Sequence, residues 1–374
     1  MRFLQRNTPF ATFAVLAVVA QLVLRAAGME YCLTQLTMAL YYALVVLGLC
    51  LVTGHAGQVS LGHAAFFAIG GYTSAFLTTH DFGPLPEPAW ATGLKQARVL
   101  IEHSDLYGGT ALSVSPWAAV VVALLLTFVV AHLIGYPALR LKGHYLAMAT
   151  LGFGLIVSKI VVGTARLGAS DGITGVPEWP LGFGLTVSGR RTLRVENYYI
   201  ACGLLLLTLV LLRNLIRSRV GRALQAIHDR ETAANAMGIN TAAYKLGAFV
   251  LSALLAALAG VFFTHYTGSI SPSEAGALKS VRYLALAAAG GMASLWGVTA
   301  MSVILNYLSL RGFFGSYDNA VFGAILILII SLAPEGPLKP LGQWLRHGLN
   351  RNHHPRDETT GAPPGASDGA PRIH

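Results

Sequence analysis

The sequence predicts an all-α, polytopic integral membrane protein with eight to ten transmembrane helices, of which we prefer ten. Of the 374 residues, 54% are hydrophobic and only 11% are charged, whereas about a quarter of the residues in a soluble domain carry a charge. Long apolar runs recur along most of the chain, and a helix that spans a bilayer needs about 20 mostly apolar residues. A soluble globular enzyme is therefore excluded.

The apolar runs define the predicted helices in chain order. They lie at about 9–24, 31–53, 60–79, 116–136, 144–163, 198–213, 245–266, 281–293, 295–310 and 319–333. The first run follows Arg2 and Arg6, as in a cleaved signal peptide. Because another apolar run begins at Tyr31, we favour an uncleaved helix. The short runs 281–293 and 295–310 leave three alternatives open: two short helices, a broken helix or a re-entrant pair.

The positive charges predict the orientation in the membrane. The formal net charge is +10, and Lys and Arg concentrate in the cytoplasmic loops of membrane proteins. Most of the excess lies in the N-terminal arm, at Arg140 and Lys142, in residues 213–245 and in the tail. This distribution places both termini in the cytoplasm, and it makes the basic charge an orientation signal rather than a sign of nucleic-acid binding.

The same assignment divides the chain into a transmembrane domain and a tail. The domain covers residues 1–340, with outer loops at about 80–115 and 164–197 and a cytoplasmic loop at about 213–245, which we call the coupling segment. Residues 341–374 are polar and rich in Gly, Ala, Pro and Ser towards the end. That composition predicts a disordered cytoplasmic tail.

Glycine and polar residues concentrate between the second and third apolar runs, in residues 54–63, which we call the glycine-rich segment. Irregular backbone at membrane depth is tolerated where protein or water satisfies it, and broken helices often line transport paths. One interpretation is therefore a translocation path or gate. The alternative is a turn whose small residues allow close helix packing. The candidate path residues are Gly54, Gly57, Gln58, Ser60, Gly62 and His63.

The coupling segment is polar and compatible with a helix. Leu224, Ile227, Ala234 and Met237 approximate one face of a single amphipathic helix over about 219–238. Such a helix lies on a membrane surface or inserts its apolar side into a groove of another protein. The sequence alone leaves both alternatives open.

Several chemistries lack their sequence motifs. No G-x-x-x-x-G-K-[ST] phosphate loop occurs, so the chain does not bind ATP in that way. Ionisable residues inside the apolar runs are sparse, with His132, Lys159 and His265 as the main cases, and ion-coupled pumps usually need more of them. We predict no catalytic, cofactor-binding or metal-binding residues. The cysteines, which lie apart within apolar runs, are interpreted as core residues.

Five stretches together resemble one known family. Residues 54–67 closely resemble the signature near the second and third helices of branched-chain amino acid ABC transporter permeases. The stretches 139–154, 168–177, 221–240 and 290–297 resemble that family's middle-helix, outer-loop, coupling-loop and late glycine-rich motifs. They occur in the family's order over about residues 40–335, and they point to the LivM-like branch of the LivH/LivM permeases.

The resemblance implies a role and a set of partners. It implies a multi-pass permease of the bacterial inner membrane that pairs with a homologous second permease, two cytoplasmic ATPase subunits and a periplasmic binding protein. ATP and Mg would be bound by the ATPase subunits, and leucine, isoleucine or valine would be carried. The residues expected to couple to the ATPase are Arg222, Glu231, Ala233, Ala234 and Gly238.

Two other functions stay open at this point. A urea or short-amide permease shares the scaffold. An autonomous channel or secondary carrier is a different class, which would transport its substrate without ATPase partners.

Overall fold

The computed structural model describes residues 2–81, 100–104, 110–141, 143–182 and 184–312, with isolated positions at 320, 323, 324 and 327. Four predictions therefore concern residues that lie mostly or wholly outside this part of the chain. They are the tenth apolar run at 319–333, the tail 341–374, the outer loop 80–115 and the charge at Lys142.

The described residues form eleven α-helices, one of which continues into a π-helix. The helices are α1 (Arg2–Ala26), α2 (Cys32–Cys50, continued by the π-helix Leu51–His55), α3 (His63–Thr79), α4 (Pro116–Ala138), α5 (His144–Gly163), α6 (Arg194–Arg217), α7 (Arg219–Asp229), α8 (Glu231–Ala236), α9 (Thr241–Thr267), α10 (Ala277–Ala289) and α11 (Leu295–Leu310). Each predicted apolar run from 9–24 to 295–310 coincides with one of these helices.

Several of these helices are suited to crossing a bilayer. Within the described residues, five helical segments are long and apolar enough: Cys32–His55, Pro116–Ala138, His144–Gly163, Arg191–Arg217 and Thr241–Thr267. Two shorter apolar helices are Phe10–Ala26 and Leu295–Leu310. The protein is therefore predominantly helical with several candidate spans. The total number of crossings and the sides on which the termini lie stay predictions.

Helix α2 forms the centre of the core. In its apolar window 89% of the residues are buried, against 33% in α4, α5 and α6. Its buried side chains include Tyr41 and Tyr42, whose rings pack against Phe262 and Phe263 of α9. A helix that is apolar all round and also covered all round belongs in the interior of a bundle, and the outer helices leave their exposed faces to the lipid.

Helices α3 and α9 approach each other through glycine. A Cβ atom at Gly70 would collide with the backbone of Ala257, and one at Gly260 would collide with the carbonyl of Phe67. Small residues let helix backbones come close in a membrane, where lipid offers no hydrophobic drive towards association. This contact fixes α3, and with it the glycine-rich segment that precedes it, against α9.

Several connections between helices contain short β-ladders. The all-α prediction therefore holds for the apolar helices but not for these loops. The strands are β1 (Leu100–Ser104), β2 (Thr110–Val114), β3 (Ile173–Thr174), β4 (Trp179–Gly182), β5 (Leu185–Val187) and β6 (Ser269–Ile270). Antiparallel pairs form between β1 and β2, β3 and β6, and β4 and β5. The β3–β6 pair joins the loop 164–197 to the chain after α9, and the ladders pair backbone groups that no helix satisfies.

The two short apolar runs at 281–293 and 295–310 correspond to two separate helices. A turn at 290–294 separates α10 from α11. Before α10, the chain dips back into the bundle, because Glu274 accepts a hydrogen bond from Tyr42, near the middle of α2. At the other end of α10, the carbonyl of Met292 accepts a hydrogen bond from Cys50. Helix α10 thus lies alongside about half of the length of α2. The residues just before it, Pro272–Ala275, enter the bundle, and we call them the re-entrant segment.

We expect the α3–α9 contact to be sensitive to added volume. Gly70→Val or Gly260→Val should lower the free energy of unfolding by about 1–3 kcal/mol, because overpacking forces the two backbones apart. The matched control is Gly247→Val on the same helix as Gly260, where an added Cβ would meet nothing within 4 Å. Heating the purified protein with a thiol-reactive fluorophore measures the effect, since Cys32, Cys50 and Cys202 are buried. Equal midpoints for Gly260→Val and Gly247→Val would contradict the prediction.

Candidate functional site

The glycine-rich segment begins where α2 changes its hydrogen-bonding pattern. Over Leu51–His55 the helix widens to a π-helix, and the amide of Ala56 donates to the carbonyl of Leu51 (3.2 Å). The amide of Gln58 then donates to the carbonyl of Val52 (3.0 Å). Single π-helical turns are rare and are frequent at functional sites. The chain therefore stays hydrogen-bonded while it leaves the helix axis.

Gly54 allows the turn between α10 and α11 to contact the end of α2. A Cβ atom at position 54 would collide with the carbonyl of Met292. The same carbonyl accepts the hydrogen bond from the thiol of Cys50 (2.9 Å). Only a residue without a side chain fits here, so Gly54 has a packing role in this conformation.

Gly57 brings the glycine-rich segment and the coupling segment into contact. Its φ angle is +68°, in the region that glycine tolerates best, and an added Cβ would lie 2.7 Å from Nδ1 of His228. His228 lies on α7, in the coupling segment. The two stretches that sequence analysis treated separately therefore contact each other.

The end of the glycine-rich segment is tied to three further helices. The amide of Leu61 donates to Oγ1 of Thr150 on α5 (2.9 Å), and Nε2 of His63 lies 2.6 Å from Oγ of Ser252 on α9. The amide of Ala64 donates to Oγ of Ser280 on α10 (3.2 Å). Gly62 is also buried, and a Cβ there would lie 2.9 Å from the carbonyl of Thr150.

The predicted polar path residues point into protein rather than into open space. Gln58, Ser60 and His63 are at most 3% exposed. Within the described residues, neither amide atom of the Gln58 side chain has a hydrogen-bond partner, nor has Nδ1 of His63. The packing interpretation thus accounts for Gly54, Gly57 and Gly62, whereas Gln58 keeps unused hydrogen-bonding capacity. The role of these residues in a path or gate stays a prediction.

The coupling segment forms two helices, so the prediction of one helix over 219–238 is wrong. Helix α7 ends at Asp229, Arg230 adopts an extended conformation (φ −153°, ψ 98°), and α8 begins at Glu231. The oxygen of Ser218 accepts the amide of Val220 and caps the start of α7. The break at Arg230 changes the direction of the chain.

This break also changes which apolar residues face inwards. Leu224, Ile227 and Ala234 are buried, as the periodicity predicted. Met237 is 83% exposed, which contradicts its placement on that face. It lies directly after the end of α8, beyond the break, where the phase set by α7 no longer applies.

The residues predicted to couple to an ATPase are divided between the surface and the interior. Arg222, Ala233 and Gly238 are exposed, while Ala234 is buried. Glu231 is engaged inside the chain, with its Oε1 2.6 Å from Nζ of Lys245 and 3.4 Å from Oγ1 of Thr241. These contacts, which were not foreseen from the sequence, hold α8 against the first turns of α9.

Comparison with known proteins identifies the family. Together, the long apolar helices define a polytopic membrane protein. A family model described as the branched-chain amino acid transport system permease component matches residues 31–330. The chain belongs to this family, as the sequence motifs predicted.

The relatives of the chain include both permease types of one transport system. It is 30% identical over 325 residues to the high-affinity branched-chain amino acid transport system permease protein LivM of Escherichia coli K12, covering 81% of this chain and 68% of LivM. It is 26% identical over 313 residues to LivH of the same organism, covering 81% of this chain and 92% of LivH. BraD of Pseudomonas aeruginosa is 32% identical over 125 residues, which cover 33% of this chain and 40% of BraD. No solved structure gives a significant match.

The contact between Gly57 and His228 predicts a specific pattern of destabilisation. Gly57→Ala places a Cβ against His228 and should cost about 1–3 kcal/mol of unfolding free energy by overpacking, beyond the cost of a positive φ angle. Gly143→Ala is the matched control, because Gly143 also has a positive φ (+58°) but open space around it. The added change His228→Ala should restore most of the stability in the Gly57→Ala protein. Thiol-labelling melts of the four proteins test the prediction, and a double variant no more stable than Gly57→Ala would refute it.

Proposed function

We propose that the chain is the transmembrane permease subunit of an ATP-driven importer of leucine, isoleucine and valine. Its partners would be a homologous second permease, two cytoplasmic ATPase subunits that bind ATP and Mg, and a periplasmic binding protein, at the bacterial inner membrane. The observation that carries this proposal is the contact between His228 of the coupling segment and Gly57 at the end of α2. Membership of the permease family and the names of the relatives support it.

The coupling segment has a surface suited to an ATPase. Met237 presents an apolar side chain that is 83% exposed, and Arg222 is exposed on α7. Ala233 and Gly238 carry no bulk on the same segment and permit close approach of a partner. An apolar side chain inserted into a groove, with basic residues around it, is a common way for helices to dock on another protein.

Glu231 and Ala234 act within the chain in this proposal. The pair between Glu231 and Lys245 couples α8 to α9, and Ala234 is buried on α8. A displacement of α8 is therefore transmitted to α9 directly. A displacement of α7 is transmitted through His228 to Gly57, and from there to the π-helical end of α2.

Movement at the end of α2 reaches the rest of the core by short connections. Gly54 contacts the turn after α10, Leu61 is bonded to α5, and His63 is bonded to α9. These contacts form a continuous network that links the ATPase-facing surface to the helices that enclose a substrate path. Alternating access requires such a link between the site of ATP hydrolysis and the membrane.

The opposite side of the bundle offers a rigid platform for the binding protein. Nδ1 of His265 lies 2.8 Å from the carbonyl of Pro177, and its Nε2 lies 2.8 Å from Oγ of Ser74. A carbonyl only accepts hydrogen bonds, so Nδ1 of His265 donates to Pro177. His265 therefore joins the loop 164–197 to α9 and α3.

Reconstitution of the complete transporter tests the proposed function. Proteoliposomes that contain both permeases and both ATPases, with the binding protein outside and ATP inside, should accumulate radiolabelled leucine. Omission of the ATPases, or a non-hydrolysable ATP analogue, should abolish uptake. Leucine flux through the chain alone would establish the autonomous channel or carrier instead, and urea or acetamide binding by the cognate binding protein would establish the short-amide alternative.

Met237 provides a direct test of docking. Met237→Asp should weaken association with the ATPase subunits at least ~10-fold, about 1.4 kcal/mol, because a carboxylate would be buried in an apolar groove. Met237→Leu is the matched control and should retain association, since it keeps the apolar volume. Co-purification and ATPase titration of the detergent-solubilised permeases measure the effect. Unchanged association of Met237→Asp, with normal membrane insertion, would rule out this surface as the contact.

A further inference from the structure

Charged side chains lie at the middle of the bundle, at the start of α10. Nζ of Lys279 is 2.8 Å and 2.9 Å from the two carboxylate oxygens of Glu274. The hydroxyl of Tyr42 donates to the same carboxylate (3.1 Å) and lies 3.1 Å from Nζ of Lys279. Arg282 follows Lys279 on α10 by about one helical turn. We call Glu274, Lys279 and Arg282 the charged cluster.

The position of Tyr42 fixes the depth of the charged cluster. The continuous helix from Cys32 to His55 is long enough to span the bilayer, and Tyr42 lies near its middle. With a rise of 1.5 Å per residue, Tyr42 is about 15 Å from the nearer end of this helix. Charges at such depth are costly unless they face protein or water, and they usually mark a functional pathway.

One face of α10 is open in the chain and combines two exposed apolar side chains with a partly exposed, ion-paired lysine. Leu278 is 78% exposed and Val281 is 46% exposed, and the side chain of Lys279 is 28% exposed between them. By contrast, α4 also exposes many side chains, among them Leu133 at 70%, but its sequence contains no Lys, Arg, Asp or Glu. The open face of α4 suits hydrocarbon, whereas that of α10 suits a water-filled path at mid-depth.

The charged cluster is electrically suited to a zwitterion. Two cations and one carboxylate leave it with an excess of positive charge, and the re-entrant segment places the N-terminus of α10 at the same depth, where the helix dipole favours an anion. In addition, the hydroxyls of Tyr72 and Tyr283 are buried (3% and 1% exposed) and have no hydrogen-bond partner among the described residues. The ring of Tyr283 lies 6.1 Å from that of Tyr42, centroid to centroid, and therefore close to the charged cluster.

We infer that the start of α10 is a transit site for the zwitterionic head group of an α-amino acid. The substrate carboxylate lies on the side of Lys279 and Arg282, the ammonium group is balanced by Glu274, and the aliphatic side chain lies against Leu278 and Val281. This inference rests on the proposed function, since it assumes that the open face of α10 lines the path at the junction with the second permease. It adds a site and a recognition chemistry to that function.

Thiol accessibility tests whether this face is water-lined. In the complete reconstituted transporter, Leu278→Cys should react with a membrane-impermeant, negatively charged methanethiosulfonate, and saturating leucine should slow the reaction during turnover. Leu133→Cys on α4 is the matched control and should stay unreactive. The native cysteines Cys32, Cys50 and Cys202 are buried and set the background. An unreactive Leu278→Cys in a transporter with normal ATP-dependent uptake would overturn the inference and leave the proposed function intact.

Charge substitution tests the recognition chemistry. Arg282→Gln should reduce leucine uptake at least ~10-fold, and Arg282→Lys should retain most of it. Both variants should keep the second permease and the ATPases in the complex and should keep ATP hydrolysis stimulated by the binding protein. Unchanged uptake in Arg282→Gln would overturn the inference. So would loss of the second permease from the Arg282→Gln complex, because the charge would then serve as a contact between subunits.

Discussion

Helix α2 lies at the centre of the protein, and two other elements make close contact with glycines at its C-terminal end. At Gly54 the turn after α10 touches the helix, and at Gly57 the coupling segment does so. Neither contact leaves room for a Cβ atom, and the π-helical turn between Leu51 and His55 keeps the backbone hydrogen-bonded while the chain departs from the helix axis. In a bilayer, where unsatisfied backbone groups are costly, this arrangement lets several elements contact one short stretch of chain whose backbone stays hydrogen-bonded.

Several polar groups of the core form hydrogen bonds that connect different helices. Oγ of Ser252 is hydrogen-bonded to Nε2 of His63, and Oγ1 of Thr150 accepts a hydrogen bond from the amide of Leu61. The ring of His265 is hydrogen-bonded both to Ser74 and to the loop carbonyl of Pro177. Hydrogen bonds between helices are worth about 1 kcal/mol or less each in membranes, so their value is chiefly geometric. They fix which faces meet, while the aromatic and aliphatic side chains around α2 supply the packing.

The sequence predicted the positions of the apolar helices well because apolar composition is a local property, and it predicted the family from motifs. It marked Gly54 and Gly57 as unusual, but the reason for their presence lies at Met292 and His228, 238 and 171 positions further along the chain. Periodicity placed Leu224 and Ile227 correctly and misplaced Met237, because the break at Arg230 resets the helical phase. The helix α10 begins at Ala277, before the predicted apolar run at 281–293, because Lys279 interrupts the hydrophobic sequence there. The partner of Glu231 is Lys245, fourteen positions along the chain, beyond any helical spacing.

The geometry of α10 makes it a lever arm. Its inner end rests on the last turn of α2 through Met292, next to the point where the coupling segment bears on Gly57. Its other end holds Lys279 at mid-membrane. A rigid helix of this length extends about 20 Å, so a tilt of about 10° at the inner fulcrum displaces the far end by about 3 Å. A movement of this size is comparable with the 2.8 Å between Nζ of Lys279 and the carboxylate of Glu274, so a small tilt of α10 at its Met292 end is enough to change the charged contacts in the middle of the bundle.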